Sequence, residues 1–410
     1  MNESNEMKIS LHCLLACLYF LLLPTTIAVN ASGNSYLKLA TIPIGLYFLV
    51  TILFSKIKLQ FNSVHFFLCL YTFTTLLSLF IKSDTNTMLV VLGYFLNAAI
   101  YVCLSVVQYN KKELKLMEDV QVLLLAILVG ITLFSNGLEE NRTTLEIFGQ
   151  TSDPNYFVGF FIFPLSVTMK KFMESKYRII YLVLVLLAMY CIFMSGSRGG
   201  LIAVIVTMAA FSLIYPSKLK HKLLVFIAGG SFLLFAWFVI APILPDNIIS
   251  RMSVTNVIET DGSGRWDIWR SMLIDIVHST DKLFFGHGVN TLHMMFLGGT
   301  YGGRVAHNHV IQMLYNQGLV GLIAFLIMVC ASFLRCVNKR KTAAIAIIGM
   351  LALSVSLTFN PTTRTFWNLI AFAAFNFSAD EDTESIENTK LTKGDHYDRN
   401  TESNGKHDGV

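Results

Sequence analysis

The sequence is poor in charge. Only 14% of its 410 residues are charged, whereas 54% are hydrophobic and the mean hydropathy is +0.60. Soluble domains carry about 25% charged and about 45–50% apolar residues. A chain with so little charge cannot cover its surface with polar groups. The composition therefore excludes a soluble globular enzyme, a disordered protein and a nucleic-acid-binding protein, and it indicates a polytopic membrane protein.

Signatures of metal sites and of disulfide frameworks are also missing. The seven cysteines lie in or beside apolar stretches, and no Cys-x-x-Cys pair occurs. This usage argues against a disulfide framework or a zinc site. His287, His293, His307 and His309 are numerous enough for a metal cluster, but their spacing is irregular. We therefore expect neither a metal nor another cofactor.

Long apolar segments dominate the sequence instead. Most approach the ~20 residues that a helix needs to cross the hydrocarbon core. Because helices satisfy their own backbone hydrogen bonds in lipid, the segments predict an all-α fold, a polytopic bundle of about 12 transmembrane helices. A large extracytoplasmic loop, 243–308, follows the ninth. The segments are 9–29, 37–55, 64–82, 87–108, 119–135, 155–169, 179–195, 199–215, 222–242, 315–334, 342–359 and 364–378.

The basic residues orient these segments. One set of loops carries 17 bases, most of them in short loops, and the alternate set carries 10. The positive-inside rule places the first set, and with 12 spans both termini, in the cytoplasm. The tail 379–410 is polar and acidic, which predicts a disordered cytoplasmic segment. Val29-Asn30-Ala31 offers an alternative, a signal-peptide cleavage site, but the residues before the first span suit a secretory signal poorly.

Arginine is concentrated in the outer loops. Three of the 17 inner bases are arginine, against seven of the 10 outer bases. Arginine binds phosphate and carboxylate groups in a planar, bidentate manner, so the outer arginines predict an anionic ligand. Pairing with outer acidic residues or with lipid headgroups is the alternative. The outer bases are Lys38, Lys82, Arg142, Arg198, Arg251, Arg265, Arg270, Lys282, Arg304 and Arg364.

Two outer segments are long enough to hold a site, 136–154 and 243–308. The first group of charged and aromatic residues in the second segment is Gly262-Ser263-Gly264-Arg265-Trp266-Asp267-Ile268-Trp269-Arg270. This pattern predicts an amphipathic helix from Arg265 to His278 that lies at the membrane interface. Its tryptophans suit stacking on sugar rings, and an interfacial aromatic anchor is the alternative.

A Gly/Ser turn joins two apolar helices at Met194 to Gly200 with almost no loop. Such a turn exposes backbone N–H groups at the start of the next helix, and Arg198 adds a positive charge beside them. The turn therefore predicts an anion site. The alternative is a tight hairpin whose arginine reaches the lipid interface.

Together these motifs resemble the O-antigen ligase/polymerase superfamily of bacterial envelope glycosyltransferases, over about 150–375. His307-Asn308, nine further residues and Gly318-Leu319-Val320-Gly321 fit the start of that family's helix after the large outer loop. Met194 to Gly200 resembles its Ser-x-Ser-Arg turn, Gly264-Arg265-Trp266 its outer-loop arginine helix, and Asp153-Pro154-Asn155 a recurrent element before an earlier span. Leu322 and Phe325 depart from the Thr-x-x-Tyr of some ligases.

The resemblance implies a metal-independent, inverting enzyme in the bacterial cytoplasmic (inner) membrane with its active site facing outside. Such an enzyme takes an oligosaccharide from undecaprenyl diphosphate and passes it to an acceptor glycan hydroxyl. The acceptor is lipid A core for a ligase and another lipid-linked repeat unit for a polymerase. The missing Thr-x-x-Tyr favours a polymerase or a general role in surface polysaccharide or capsule synthesis. Membrane lipid is the expected surrounding partner, and nucleic acid is not a partner.

The candidate catalytic residues follow from this chemistry. Arg198 and Arg265 bind the leaving diphosphate, and His307 is the general base toward the acceptor hydroxyl. His287 and His309 are its rivals. Asn308 or a neighbouring carboxylate fixes the histidine tautomer. The other candidate substrate-binding residues are Arg270, Arg304, Trp266, Trp269 and Asp267.

The sequence divides into N-terminal transmembrane helices at 1–150, a ligase-like region at 151–378 and the tail at 379–410. A transporter or flippase for a polyprenyl-linked glycan is the main alternative function, and a sensor or scaffold is a third. Transporters place polar groups along a path through the membrane. Here the ionisable residues avoid the predicted spans, which favours the enzyme.

Overall fold

A computed structural model describes residues 9–28, 36–54, 59–135, 137–139, 142–216, 219–235, 238–239, 242, 249, 261–297, 299–361 and 363–377. The helices of these residues are α1 (Leu11–Leu21), α2 (Tyr36–Phe54), α3 (Ser63–Ile81), α4 (Thr85–Ser105), α5 (Lys111–Phe134), α6 (Pro154–Glu174), α7 (Arg178–Met194), α8 (Arg198–Ile214), α9 (Leu219–Phe235), α10 (Asp261–Val277), α11 (Thr280–Phe285), α12 (His309–Lys339), α13 (Lys341–Leu353) and α14 (Arg364–Ala374). The tail 379–410, Arg251 and Asn30-Ala31 lie outside the described residues.

Four short two-stranded sheets accompany the helices. Three are antiparallel hairpins in the loops after α5 and α11, and the fourth is a parallel pair, β1 with β8. The strands are β1 (Gln108–Tyr109), β2 (Leu138–Glu139), β3 (Arg142–Thr143), β4 (Glu146–Ile147), β5 (Gln150–Thr151), β6 (His293–Leu297), β7 (Thr300–Arg304) and β8 (Asn376–Phe377).

The described chain is a helical membrane protein, as the composition predicts. Each of the twelve predicted segments overlaps a helix, and α10 coincides with the predicted amphipathic helix. Five helices are long and apolar enough to cross a membrane: α3, α4, α5, α6 and α12. Helices α1, α7, α8 and α13 and the Thr41–Phe54 part of α2 are apolar but shorter. The count of twelve spans stays a prediction.

The bundle has two chemically different ends. We call the end where α6, α8 and α12 begin the upper end, and the end where α5 begins and α14 ends the lower end. Ion pairs join α6 to α5 at the lower end, with Lys170 Nζ 2.7 Å from Glu118 Oε1 and Lys171 Nζ 2.6 Å from Asp119 Oδ1. The hairpins β2–β3 and β6–β7 belong to the upper end.

Helix α14 crosses only part of the bundle. Its lower end is held by Asn62, which donates from Nδ2 to Ala374 O at 2.7 Å. Near its upper end, Trp367 stacks on Tyr71, eight residues into the 19-residue α3. An 11-residue helix is about 16 Å long, so α14 begins near the middle of the bundle. The connection from α13 to α14, residues 354–361, therefore descends from the upper end into the interior.

This geometry corrects the placement of Arg364. The sequence counts it among the outer bases, but the structure buries it at the first turn of α14, with 8% of its surface exposed. The sequence misplaces Arg364 because the connection 354–361 before it is as polar as an outer loop, although it runs into the interior of the bundle. The prediction that ionisable residues avoid the spans is wrong at this position.

Two lower-end arginines stabilise the other end of α14. Arg340 donates from Nη1 to Phe372 O at 2.7 Å and to Phe375 O at 2.9 Å, and Arg335 donates to Asn376 Oδ1 at 2.8 Å. Basic side chains at the last turn satisfy carbonyls that have no partner within the helix. Two of the three inner arginines thus have a structural role.

The Gly-x-x-Gly motif has a packing role in α12. Gly318 adopts φ +63° inside the helix, where the chain kinks. A Cβ at this position would lie 2.3 Å from the Phe284 carbonyl carbon and oxygen, so the backbones of α11 and α12 touch here. Only glycine combines a positive φ with such a close approach. The glycine therefore fixes how the outer-loop helices sit on α12.

We expect Gly318→Ala to destabilise the protein. The backbone at φ +63° and ψ −164° is essentially restricted to glycine and costs an alanine about 1–3 kcal/mol. The overlap with Phe284 adds about 1–3 kcal/mol. Thermal unfolding of the purified protein in detergent measures the loss. Gly130→Ala is the matched control, because Gly130 lies within α5 with nothing within 4 Å of its added Cβ. Equal midpoints for the two variants would contradict the packing role.

Candidate functional site

The Ser-Gly-Ser-Arg turn builds the start of α8 at the upper end. Ser197 Oγ accepts a hydrogen bond from Gly200 N at 3.0 Å and so caps the helix. The same hydroxyl donates to Asn155 Oδ1 at 2.6 Å, and Gly196 adopts φ +59° to close the turn. Arg198 is the first residue of α8. Its side chain therefore starts in the first turn of the helix, whose N–H groups have no partner within the helix. That this turn binds an anion stays a prediction.

Helix α6 begins against this turn. Asp153 caps α6 by accepting from Asn155 N at 2.8 Å and from Tyr156 N at 3.1 Å, and Pro154 occupies the first helical position. Proline and a capping carboxylate are both favoured at helix starts. The Asp-Pro-Asn element thus starts a helix, supplies the Asn155 amide to Ser197, and leaves a carboxylate at the surface of the site.

Arg142 is a site residue that no sequence motif singles out from the other outer arginines. It lies in β3, is 7% exposed, and donates from Nε to Ser195 O at 2.9 Å. The bond ties the outer segment 136–154 to the turn before Arg198. The sequence signal was present, since Arg142 belongs to the outer arginines, but residue spacing does not reveal that it folds back on a turn 53 residues later.

The connection 354–361 joins the start of α8 to the start of α12. A Cβ on Gly199 would lie 1.9 Å from Ser356 Oγ, so the first turn of α8 packs directly on this connection. His309 N donates to Ser354 O at 2.8 Å, and Phe359 N donates to His309 Nδ1 at 3.0 Å. Arg198 and the residues just before His309 therefore rest on one stretch of backbone.

His307 sits at the entry to α12 in a strained conformation. It is exposed and adopts φ +46°, which is rare for a residue with a side chain. Both of its neighbours are fixed, because Ala306 O accepts from Trp269 Nε1 at 2.7 Å and Asn308 caps α12 through Ile311 N at 3.2 Å. Strain that persists between fixed neighbours is typical of functional positions.

Charges from two other elements reach His307. Although part of the His307 side chain is open to solvent, the surrounding protein groups partly desolvate the ring and lower its pKa below the usual 6.5. The positive charge of Arg265 lowers the pKa further, and the Asp153 carboxylate opposes both effects. The three groups come from α10, α6 and the start of α12. A lowered pKa keeps the imidazole neutral at pH 7, and a neutral imidazole can accept a proton.

Three predicted substrate-binding residues are engaged in the fold. Arg304 donates from Nη2 to Leu297 O at 3.1 Å and to Thr300 Oγ1 at 2.8 Å, within its own hairpin. Trp269 uses its indole N–H on Ala306 O. The side-chain oxygen of Asn308 accepts a hydrogen bond from Ile311 N and caps α12, rather than bonding to the His307 ring. These residues position the site, and direct substrate contact by them stays a prediction.

The remaining predicted residues lie on the surface of α10. Trp266 is 61% exposed and packs its ring on Trp269 at 5.2 Å between centroids. Asp267 and Arg270 are exposed as well. An exposed indole supported by a second ring presents a flat apolar face beside the site.

The other histidines do not join His307. His309 is 2% exposed and packs its ring on Phe325 and Phe359, so it belongs to the core. His287 Nε2 lies 3.2 Å and His293 Nδ1 3.6 Å from Asp275 Oδ2, in a separate cluster under α10. Within the described residues, no group of three or more His, Cys, Asp or Glu side chains is arranged to hold a metal.

Comparison with known proteins finds a family match in the central part of the chain. Residues 182–326 match the family described as O-antigen ligase. The resemblance of this chain to the O-antigen ligase/polymerase superfamily is confirmed. The matched region contains Arg198, Arg265 and His307, and Arg142 and Asp153 lie before it. An uncharacterized protein of Haemophilus influenzae is 24% identical over 408 residues, which cover 89% of this chain and 96% of that protein.

We expect opposite shifts of the His307 pKa in two variants. Arg265→Gln removes a positive charge and raises the pKa, whereas Asp153→Asn removes a negative charge, can still cap α6, and lowers the pKa further. The rate at which diethyl pyrocarbonate modifies His307, followed by mass spectrometry against pH, reports the neutral imidazole. Arg270→Gln, exposed on the same helix, is the control. Shifts of the same sign, or none, would contradict the geometry.

Proposed function

We propose that the protein is a membrane glycosyltransferase of the outer leaflet. It moves a glycan from undecaprenyl diphosphate to a sugar hydroxyl of an acceptor, as a polymerase or ligase of O-antigen or surface polysaccharide. One observation carries this proposal: the elements that bear Arg198, Arg265 and His307 meet at one end of the bundle, inside the region that matches the O-antigen ligase family.

The leaving diphosphate binds at the start of α8. The helix presents its first-turn N–H groups there, and Arg198 adds a guanidinium beside them. Arg265 approaches from α10, close enough for its charge to act on His307. Arg142 holds the Ser195 carbonyl and thereby fixes the turn. Preorganised cations at a developing negative charge are usually the largest single catalytic contribution. In this proposal the arginines take the part that a metal ion has in other enzymes.

His307 acts as the general base. Its neutral ring takes the proton of the acceptor hydroxyl, the hydroxyl oxygen bonds to the anomeric carbon, and the bond from that carbon to the diphosphate oxygen breaks. Attack opposite the leaving group inverts the anomeric centre. The strained backbone fixes the position of the ring, and Asp153 stabilises the imidazolium that forms. Trp266 offers its exposed face to a sugar ring.

The proposal places the site on the outer side of a bacterial cytoplasmic membrane, with both termini in the cytoplasm. What supports this orientation is the distribution of lysine. Helix α5 begins at the lower end with Lys111, Lys112 and Lys115, and α6 ends there with Lys170 and Lys171. The positive-inside rule assigns such an end to the cytoplasm, which leaves the arginines of the upper end outside.

We favour a polymerase over a ligase. Phe325 stands where some ligases have the tyrosine of Thr-x-x-Tyr. It is 1% exposed and packs on the His309 ring at 4.6 Å between centroids, so it serves the core below the site. The acceptor is then a second lipid-linked repeat unit rather than lipid A core.

A flippase for the same lipid-linked glycan remains the second candidate, and one observation favours it. Arg364 is a charged residue in the interior of the bundle, where transporters place polar groups. We prefer the enzyme because His307, the charges of Arg265 and Asp153 that act on it, and the turn before Arg198 lie together at the upper end of the bundle.

We expect Arg198→Ala, Arg265→Ala and His307→Ala each to abolish long surface glycan in a complementation assay, with the protein still present in the membrane. Arg198→Lys should fail as well, because a lysine lacks the bidentate fork. Arg178→Ala is the matched control, since Arg178 is the first residue of α7 as Arg198 is of α8. Glycan of normal length in all three alanine variants would refute the catalytic assignment.

The lipid-linked intermediate in the deletion strain separates the two candidate functions. An enzyme predicts that undecaprenyl-linked repeats accumulate in the outer leaflet, where transfer would have consumed them. A flippase predicts accumulation in the inner leaflet.

A further inference from the structure

The first turn of α14 is a helix start placed inside the bundle. Asn97, twelve residues into α4, donates from Nδ2 to Pro361 O at 2.6 Å and so anchors the chain just before the helix at that depth. Thr363 precedes the helix and makes no side-chain capping bond to it. The partial positive charge of a helix N-terminus is therefore directed into a low-dielectric interior.

Arg364 adds a full positive charge at the same point. It is 8% exposed, and its Nη1 has no hydrogen-bond partner among the described residues. The groups that act on its charge are the hydroxyls of Tyr19 from α1 and Tyr101 from α4, and no carboxylate is among them. An arginine buried without a counter-charge is costly, and in membrane helices it marks a binding site or pathway.

Further buried polar groups lie close to Arg364 in the fold. The hydroxyls of Tyr19 and Tyr101 are fully buried and interact with the guanidinium and with each other, and their rings lie 6.4 Å apart. Neither hydroxyl makes a hydrogen bond of good geometry among the described residues. Asn368 lies one turn after Arg364, is 3% exposed, and has both amide atoms unpartnered. Buried polar groups almost always have hydrogen-bond partners. We therefore expect the space between these side chains to hold a group that accepts several hydrogen bonds.

We propose that a small inorganic anion of chloride size binds at the N-terminus of α14, held by Arg364, the hydroxyls of Tyr19 and Tyr101, and the amide of Asn368. One acceptor of this kind satisfies donors from three helices and neutralises both the guanidinium and the helix end. The occupant is small because the hydroxyls are closed to solvent, which excludes a lipid diphosphate or a glycan.

The site supports the upper end of the bundle from below. The anion fixes α14, and α14 fixes the connection 354–361, on which the starts of α8 and α12 rest. Occupancy therefore stabilises the fold. The inference is independent of the proposed transfer reaction, because it concerns groups in the interior and is measured without substrate.

Thermal unfolding of the purified full-length protein in detergent tests the site. Sodium chloride is titrated against sodium gluconate at constant ionic strength, so that only the small anion changes. The wild type should show a saturable rise in Tm with chloride, and Arg364→Gln should lose the dependence on chloride. Arg270→Gln is the matched control, since Arg270 is exposed on α10 and should leave the response unchanged.

A second variant covers the case in which Arg364→Gln fails to fold. Tyr101→Phe keeps the ring and removes one donor, and it should raise the half-saturating chloride concentration at least about tenfold, as loss of a hydrogen bond to a charged group does. Equal Tm values for the wild type in chloride and gluconate would overturn the proposal, as would an unchanged chloride response in Tyr101→Phe. Either result would indicate that water alone occupies the cluster.

Discussion

The upper end of the bundle depends on two hydrogen bonds of His309. Its amide donates to Ser354 O and its Nδ1 accepts from Phe359 N, at 2.8 Å and 3.0 Å. These bonds fix the connection 354–361 against the start of α12, two residues after His307. The same connection packs on Gly199 in the first turn of α8. The distance between a candidate base and a candidate diphosphate site thus depends on a histidine that is buried in the core.

Burial and exposure divide the polar residues into two groups with different tasks. The first group is buried and holds the turns of the site together: Arg142 donates to Ser195 O, and Ser197 donates to Asn155 Oδ1. His307 and Trp266 are exposed and held by neighbours rather than by their own side chains. Preorganised catalysis needs exposed reacting groups held by a rigid layer of hydrogen-bonded residues beneath them. The reacting groups then do not have to reorganise at the moment of reaction.

Hydropathy predicts where every apolar helix lies, because burial and lipid both select apolar residues. For the same reason it does not distinguish a spanning helix from a short, fully enclosed one, so α14 looks like a twelfth span and Arg364 like an outer base. Local motifs predict the turn at Arg198 and the helix at Arg265. They do not reveal that Arg142 returns to Ser195, or that Trp269 holds Ala306, because those contacts depend on tertiary packing across 53 and 37 residues.

Transfer by the purified protein tests the central claim most directly. The protein is mixed with an undecaprenyl diphosphate-linked glycan and an acceptor repeat unit, with a chelator present and no nucleotide sugar, in vesicles. The account predicts a longer lipid-linked glycan and released undecaprenyl diphosphate with the wild type, and neither product with His307→Gln. Passage of intact lipid-linked glycan across the bilayer in both proteins, with no glycosidic bond broken, would contradict it.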